Sequence, residues 1–327
     1  MHNDCDILII GAGMTGLTAA AELADNGCRV VVLDKGRGLG GRLATRRMGE
    51  ASFDHGAQFV TVRTPRFARK MQAWSQAAAA REWCRGFAGV NDGHVRWRGE
   101  PGMTGIPKLM AASLDVRLEQ QVVALRTEAG WWKVETKTGE IHRSRAVLQT
   151  APVPQALAML DAGDGVIEAG LRARLETIAY ESCLVVMALL DQPSRVPAPG
   201  GLQLTEGPIV WLADNQQKGI SIQPAVTIHA SPEYSLTNWD RDRNETAREL
   251  LNAAAPWLGG EVKQFQVHGW RYSRPLTVDE CGCVPLSLDP PLLLAGDAFA
   301  APRVEGAALS GWAAAAEFAR LGFGTPQ

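Results

Sequence analysis

CDILIIGAGMTGLTAAAELADNGCRVVVLDKGRGLGGR, residues 5–42, is the stretch whose reading decides the fold. Ile7 to Ile10 is an apolar run of the length expected for a buried parallel strand. Gly11, Gly13 and Gly16 follow at G-x-G-x-x-G spacing, flanking Met14 and Thr15, and open a predicted helix that runs to about Asn26. A second apolar run, Arg29 to Leu33, ends at Asp34. Gly11 makes a tight turn, Gly13 lets backbone approach a pyrophosphate, and Gly16 lets helix and sheet pack closely. The helix N-terminus offers unpaired N–H groups to phosphate charge. Asp34, 18 residues past Gly16, stands where a carboxylate binds a ribose 2′-OH and repels a 2′-phosphate. NADP is therefore not expected as the primary cofactor.

A glycine triplet alone is compatible with packing. Strand, glycines, helix, second strand and acid arriving in order point to a dinucleotide, with NAD and FAD both open at this stage. The continuation Lys35-Gly36, Gly38, Gly40, Gly41 and Arg42 is a second glycine-rich turn. It lets backbone come close to a cofactor that extends beyond its adenosine half, which favours FAD. Arg42 is expected at the phosphates or beside the redox ring; the alternative is a solvated basic loop.

With 327 residues the chain can bury a large core and is expected to hold two lobes. Its 33 basic and 35 acidic residues, net −2, form no long block of one sign. Neither nucleic acid nor an anionic membrane surface is an expected partner. No uncharged stretch is long enough to span a membrane, and the N-terminus lacks a targeting pattern, so a cytoplasmic protein is expected. Six scattered cysteines make no disulfide framework. Cys281-Gly-Cys283 is one residue short of C-x-x-C and has no second pair or nearby histidine, so no metal is expected there.

Along the chain, Asp54, His55, Gly56 and Gln58 lie between Phe53 and Phe59, as in a pocket wall, with His55 read first as a structural histidine. Pro65 to Ala80 is predicted helical through Phe67, Met71 and Trp74. Short strands are expected at Gln121 to Glu128, Trp131 to Lys137 and Arg145 to Thr150. Cys183 to Leu190, Leu202 to Leu204, Ile209 to Leu212 and Ala225 to Ala230 read as a second, antiparallel sheet. A helix with Asp240 as N-cap is expected to end before Pro256. Leu292 to Ala295, Gly-Asp and a helix from about Gly306 return to the strand-then-helix pattern. Both chain ends are thus expected in one nucleotide domain, with the substrate lobe inserted.

Taken together, these segments resemble the p-hydroxybenzoate hydroxylase/amine-oxidase-like flavoproteins, and among them the small bacterial renalase-like proteins. The resemblance rests on G-A-G-M-T-G with Asp34, D-K-G-R-G-L-G-G-R, D-H-G-A-Q-F, W-R-G-E-P-G-M, I-H-A-S-P-E-Y-S, H-G-W-R-Y-S-R-P, L-A-G-D-A-F and R-V-E-G-A-A-L-S-G. It implies an α/β fold: a Rossmann-type FAD-binding domain at 1–62, 98–162 and 275–327, and a discontinuous, mixed or antiparallel-sheet substrate domain at 63–97 and 163–274. It implies noncovalent FAD held by Gly11, Gly13, Met14, Thr15, Gly16, Asp34, Lys35, Gly40, Gly41 and Arg42. Further cofactor contacts would come from Val123 at the adenine, from Gly296 and Asp297, and from Arg303, Glu305, Gly306 and Ala307 near the flavin's N1/C2 edge. A helix N-terminus there stabilises the negative charge of a reduced ring.

The same resemblance implies Gln58, His229, Tyr272 and Arg274 as the catalytic or pocket residues, with Trp270 as a packing wall. The implied reaction oxidises 2-dihydro or 6-dihydro isomers of NAD(P) by hydride transfer to flavin N5, with O₂ reduced to hydrogen peroxide. Aromatisation of the nicotinamide drives hydride loss, so positioning and field tuning carry the work rather than a strong base. Arg271 and Arg274 are candidate partners for substrate phosphate. His55 and Ala298 depart from the family pattern, and Tyr180, Tyr234 and Tyr272 are too few for a convincing amine-clamping pair. A small-molecule amine oxidase or desaturase, with an apolar pocket from Phe59, Trp97, Trp211 and Trp270, stays open. So does a nonenzymatic flavin-bound sensory protein.

Overall fold

The computed structural model describes residues 4–88, 90, 92–163 and 165–324. The chain divides into two compact units: Met1–Gly41, Pro107–Ala179 and Pro275–Gln327, and Arg42–Ile106 with Tyr180–Arg274. Residues 42–62 and 98–106 therefore group with the second unit, and 163–179 with the first, opposite to the sequence-based division. The hairpin Thr45–Met48/Ala51–Asp54 gives one reason. It carries Met48, Ala51 and Phe53, whose apolar side chains pack on Met187 and Ala225 of the second unit's sheet.

In the first unit an eight-stranded sheet runs Cys283–Leu288, Pro291–Ala295, Ile141–Gln149, Asp4–Ile10, Val30–Leu33, Asp115–Arg117, with Trp131–Thr136 and Val122–Glu128 branching from Ile141–Gln149. Asp4–Ile10 pairs in parallel with neighbours on both sides. Ile7, Leu8 and Ile9 are fully buried, as an uninterrupted apolar run requires of a strand covered on both faces. Helices Met14–Asp25 and Val304–Arg320 pack against each other, and the last strand and last helix bring the chain's end to its beginning. Gly311 permits this: a side chain there would run into the Thr15 carbonyl. This is the Rossmann-like α/β unit that the glycine spacing called for.

In the second unit a five-stranded sheet runs Gly201–Gln203, Ile209–Asp214, Ala225–Ala230, Tyr180–Leu190, Val262–Pro275, with antiparallel pairing along the first four. Helix Arg243–Leu258 buries Ala247, Leu250, Ala254 and Leu258 against it. Two expectations about this helix fail. Its N-cap is Asp242, whose carboxylate accepts from the Asn244 and Glu245 N–H groups, and not Asp240. The helix also runs through Pro256 to a left-handed Gly259. Proline costs one backbone bond near the end of the helix, but burial of Leu258 and acceptance by the Trp257 carbonyl of the Arg195 N–H hold that last turn. The helix Pro65–Gln76 begins as expected, with Thr64 capping and Pro65 in its first turn. Among the described residues no helix is long and apolar enough to cross a membrane.

Candidate functional site

The first unit builds its site from backbone. Gly11 has φ +111°, and Thr150 fills the space beside it while donating to the Ile10 carbonyl at 2.8 Å. Gly16 is pressed so closely against the Gly11 carbonyl that any side chain would collide with it. Gly13 is different: a Cβ there would meet nothing closer than the Gly40 carbonyl at 4.0 Å. It is also the N-cap of the first helix, and no side chain caps that end. The second glycine turn lies along the first, with the Gly40 N–H donating to the Ala12 carbonyl at 2.9 Å and Gly41 near Gly13. Asp34 ties the two turns together, accepting the Ala12 N–H at 2.7 Å and the Gly36 N–H at 2.6 Å. Each carboxylate oxygen keeps a second acceptor site for a ribose hydroxyl.

Other expected cofactor residues gather on the same unit. Val123 stands at a bulge between paired Val122 and Ala124, so it has no partner in the strand register. Gly296 is extended and opens onto free space, and the buried Asp297 follows it. Ser310, which sequence reading missed, positions this turn: its hydroxyl accepts the Gly296 N–H at 2.8 Å and donates to the Gly282 carbonyl at 2.6 Å. The last helix starts at Val304 after Arg303, again without a side-chain cap, with Glu305 and Gly306 buried and Ala307 half-buried. Met14 and Thr15 are buried in the first helix, and Lys35 reaches Gln155 at 3.4 Å. Arg42 belongs to the second unit, where its guanidinium donates to the Ser273 carbonyl at 3.1 Å.

Two helix N-termini without side-chain caps, beside glycines whose missing side chains leave open space, fit a ligand that brings its own acceptors. These residues fit FAD, which brings a diphosphate, a ribose and an electron-rich ring edge.

The second unit offers side chains. Asp54 and Lys218 are fully buried and ion-paired at 2.7 Å. Asp54 also accepts from Thr45 Oγ1 at 2.6 Å and the Met103 N–H at 2.8 Å. Burial pushes the Lys218 ammonium down, opposed by Asp54. The Asp54 carbonyl accepts from Gln58 at 2.7 Å and from Thr227 at 3.0 Å. Both Gln58 amide hydrogens go to carbonyls, Asp54 and Gly56, while its Oε1 is buried without a hydrogen-bond partner. His229 Nε2 lies 3.4 Å from Gln58 Nε2.

His55 packs edge-on to His268 with ring centres 4.9 Å apart, and both contact Trp270, whose indole donates to the His55 carbonyl at 2.8 Å. Burial first, then neighbouring positive charge, drives His55 down to about 3 and both His229 and His268 to about 4. All three imidazoles are neutral at pH 7.

Gln58 and His229 thus lie side by side. Tyr272 instead packs edge-to-face with Tyr180, centres 5.5 Å apart. Two rings in direct contact leave no slot for a ligand between them. Arg274 is held by both Glu181 oxygens, at 3.0 and 2.7 Å, and is exposed. The aromatic group of Phe59, Trp83, Phe87 and Trp211 carries its own cations: Arg96 lies 4.9 Å from Phe87, and Lys218 5.0 Å from Trp83. Trp97 belongs instead to the strand Arg96–Gly99, where its backbone pairs with Val60.

A Rossmann unit with an open glycine cradle, joined in one chain to an antiparallel-sheet unit lined by neutral imidazoles, defines a nucleotide-cofactor enzyme class. Comparison with known proteins makes this particular. Residues 9–74 match an NAD(P)-binding Rossmann-like domain, and residues 80–318 match the flavin containing amine oxidoreductase family. The chain belongs to the flavin containing amine oxidoreductases, and is an FAD-dependent oxidoreductase. It is similar to mouse (Mus musculus) renalase, 23% identical over 317 residues, covering 90% of this chain and 92% of that one. Human (Homo sapiens) flavin-containing amine oxidase B is 39% identical over only 61 residues, 18% of this chain and 12% of that one. Putrescine oxidase bound to putrescine shares the fold, with a TM-score of 0.71 at 15% identity over 97% of this chain and 99% of that one.

Proposed function

We propose that the protein is a renalase-like oxidase of isomeric dihydronicotinamide dinucleotides, converting 2-dihydro-NAD(P), 6-dihydro-NAD(P) or both to NAD(P)⁺. FAD, noncovalently bound, supplies the two-electron acceptor for a hydride and the route by which those electrons reach O₂ as hydrogen peroxide. The proposal includes a cytoplasmic location.

One observation carries the choice of substrate. Around Gln58 the second unit presents neutral imidazoles and an amide, and the carboxylates Asp54, Asp92 and Glu100 already pair with Lys218, Arg96 and Arg98. A cationic amine needs a free carboxylate or an empty aromatic cage. Here the aromatic faces already carry Arg96 and Lys218. A neutral ring with an anionic tail suits such a unit better. In this reading the unpartnered Gln58 Oε1 accepts from a nicotinamide carboxamide. His229 bounds the ring as a neutral imidazole, and no residue needs to remove a proton, since hydride loss itself restores aromaticity. Tyr272 and Arg274 are proposed as supporting residues, with Arg274 acting through Glu181.

Anaerobic mixing of the yellow protein with 2-dihydro-NAD, 6-dihydro-NAD, ordinary 4-dihydro-NAD and a panel of amines tests this directly. Flavin bleaching by at least one isomeric dinucleotide, and by no amine, is the expected result. Rapid bleaching by an amine with none by either isomer replaces this reading with an amine oxidase.

A further inference from the structure

Among the described residues, three arginines of the second unit make no ion pair. Arg243 sits 4.9 Å over the Trp239 ring, and its Nη1 is buried with no hydrogen-bond partner. Arg271 lies 5.1 Å from the same ring. Gly269, two residues earlier on the strand, lets the indole lie close, since a side chain there would stand 2.9 Å from it. Arg46 reaches Gln266 on this strand at 3.3 Å. Among the described residues, none of the three is in a salt bridge, whereas their neighbours Arg241 and Arg274 pair with Glu249 and Glu181. Burial first, and then the charges of Arg46 and Arg243, hold His268 down.

Gathering like charges is unfavourable, and a buried guanidinium N–H without an acceptor costs further. A phosphate-bearing ligand relieves both, since guanidinium is the side chain best matched to phosphate oxygens.

We propose that Arg243 and Arg271, both set against Trp239, with Arg46 held at Gln266 of the strand that carries Arg271, form a subsite that takes the diphosphate of the dinucleotide substrate. This rests on the dinucleotide reading of the second unit and assigns its anionic tail. It also moves the phosphate contact from Arg274, which Glu181 occupies, to Arg271 and two arginines distant in sequence.

Titrating the FAD-loaded full chain with inorganic pyrophosphate, followed by calorimetry and tryptophan fluorescence, is the first test; bound FAD keeps the glycine cradle filled. Pyrophosphate is expected to bind. Arg243→Gln and the exposed Arg271→Gln should each weaken it by about tenfold or more, with Arg243→Lys in between. Lys70→Gln, on the exposed side of helix Pro65–Gln76, should change nothing. In turnover, the arginine variants should raise KM for dinucleotide isomers, leave kcat near wild type, and spare the matching mononucleotides, which lack the diphosphate. No pyrophosphate binding, or arginine variants that retain flavin and bind pyrophosphate like wild type, overturns the subsite. Binding that depends on these arginines, without oxidation of any dihydronicotinamide, keeps the subsite and removes the proposed reaction. Oxidation unaffected by the arginine variants does the reverse.

Discussion

The two units recognise ligands by opposite means. The first presents main chain: Gly13 and Gly296 open onto free space, and two helices begin without side-chain caps. The second presents a buried ion pair, three depressed histidines and unpaired arginines. A backbone site depends on conformation, and glycine spacing encodes conformation locally. A side-chain site depends on which distant residues the fold assembles. Damage to the first should therefore appear in cofactor retention, and damage to the second in stability, pH response and substrate choice.

Lys218→Met breaks this contrast on the side of the second unit. It leaves the fully buried Asp54 without its cation, and a loss of about 3–5 kcal/mol in unfolding free energy is expected from breaking such a pair. Chemical denaturation measures it. Asp54→Asn combined with Lys218→Met should recover part of the loss, because no unpaired charge then remains. A loss below about 1 kcal/mol would show that solvent reaches the pair.

Within the first unit, two glycines of one motif should separate stability from binding. Gly16→Ala drives a side chain into the Gly11 carbonyl and should cost roughly 1–3 kcal/mol, with flavin lost as a consequence. Gly13→Ala meets nothing closer than the Gly40 carbonyl at 4.0 Å, so the apoprotein should melt near wild type while FAD affinity falls. Thermal melts of both apoproteins beside flavin titrations read the difference. Equal melting losses would mean that Gly13 packs as Gly16 does.

A pH slope drawn chiefly from the second unit gives a further contrast. His55, His229 and His268 fall from 6.5 to about 3, 4 and 4. As pH drops below 6.5 the unfolded chain protonates these imidazoles while the folded chain keeps them neutral. Stability is thus full above about 6.5 and declines toward about pH 4, by up to about 1.4 kcal/mol per pH unit per histidine. His229→Gln should remove one histidine's share of that slope, measured by urea unfolding across the window. An unchanged slope would mean that His229 charges in the folded state.

Legibility followed the range over which each feature is encoded. The strand, turn, helix and acid of residues 5–42 are set by neighbours a few positions apart, and Gly11, Gly13, Gly16 and Asp34 fall where their spacing implies. The cap of Arg243–Leu258 slipped from Asp240 to Asp242 because two acids compete for one role, and only geometry selects between them. Gln58 and His229 could be nominated from motif resemblance, but their contact spans 171 positions. Lys218 gave no signal, since Q-Q-K-G reads as an exposed turn until Asp54, 164 residues away, is brought to it.

Sequence alone determined that this chain carries a dinucleotide cradle and that its two ends share one nucleotide domain, because glycine spacing, apolar runs and helix starts act over short distances. Tertiary structure alone decided which charges are satisfied: that Arg274 is held by Glu181, that Lys218 is buried on Asp54, and that Arg243 and Arg271 meet over Trp239, neither in an ion pair among the described residues. Electrostatic pairing acts through space at a few ångströms, and the order of residues along a chain does not specify those distances until the sheets have formed.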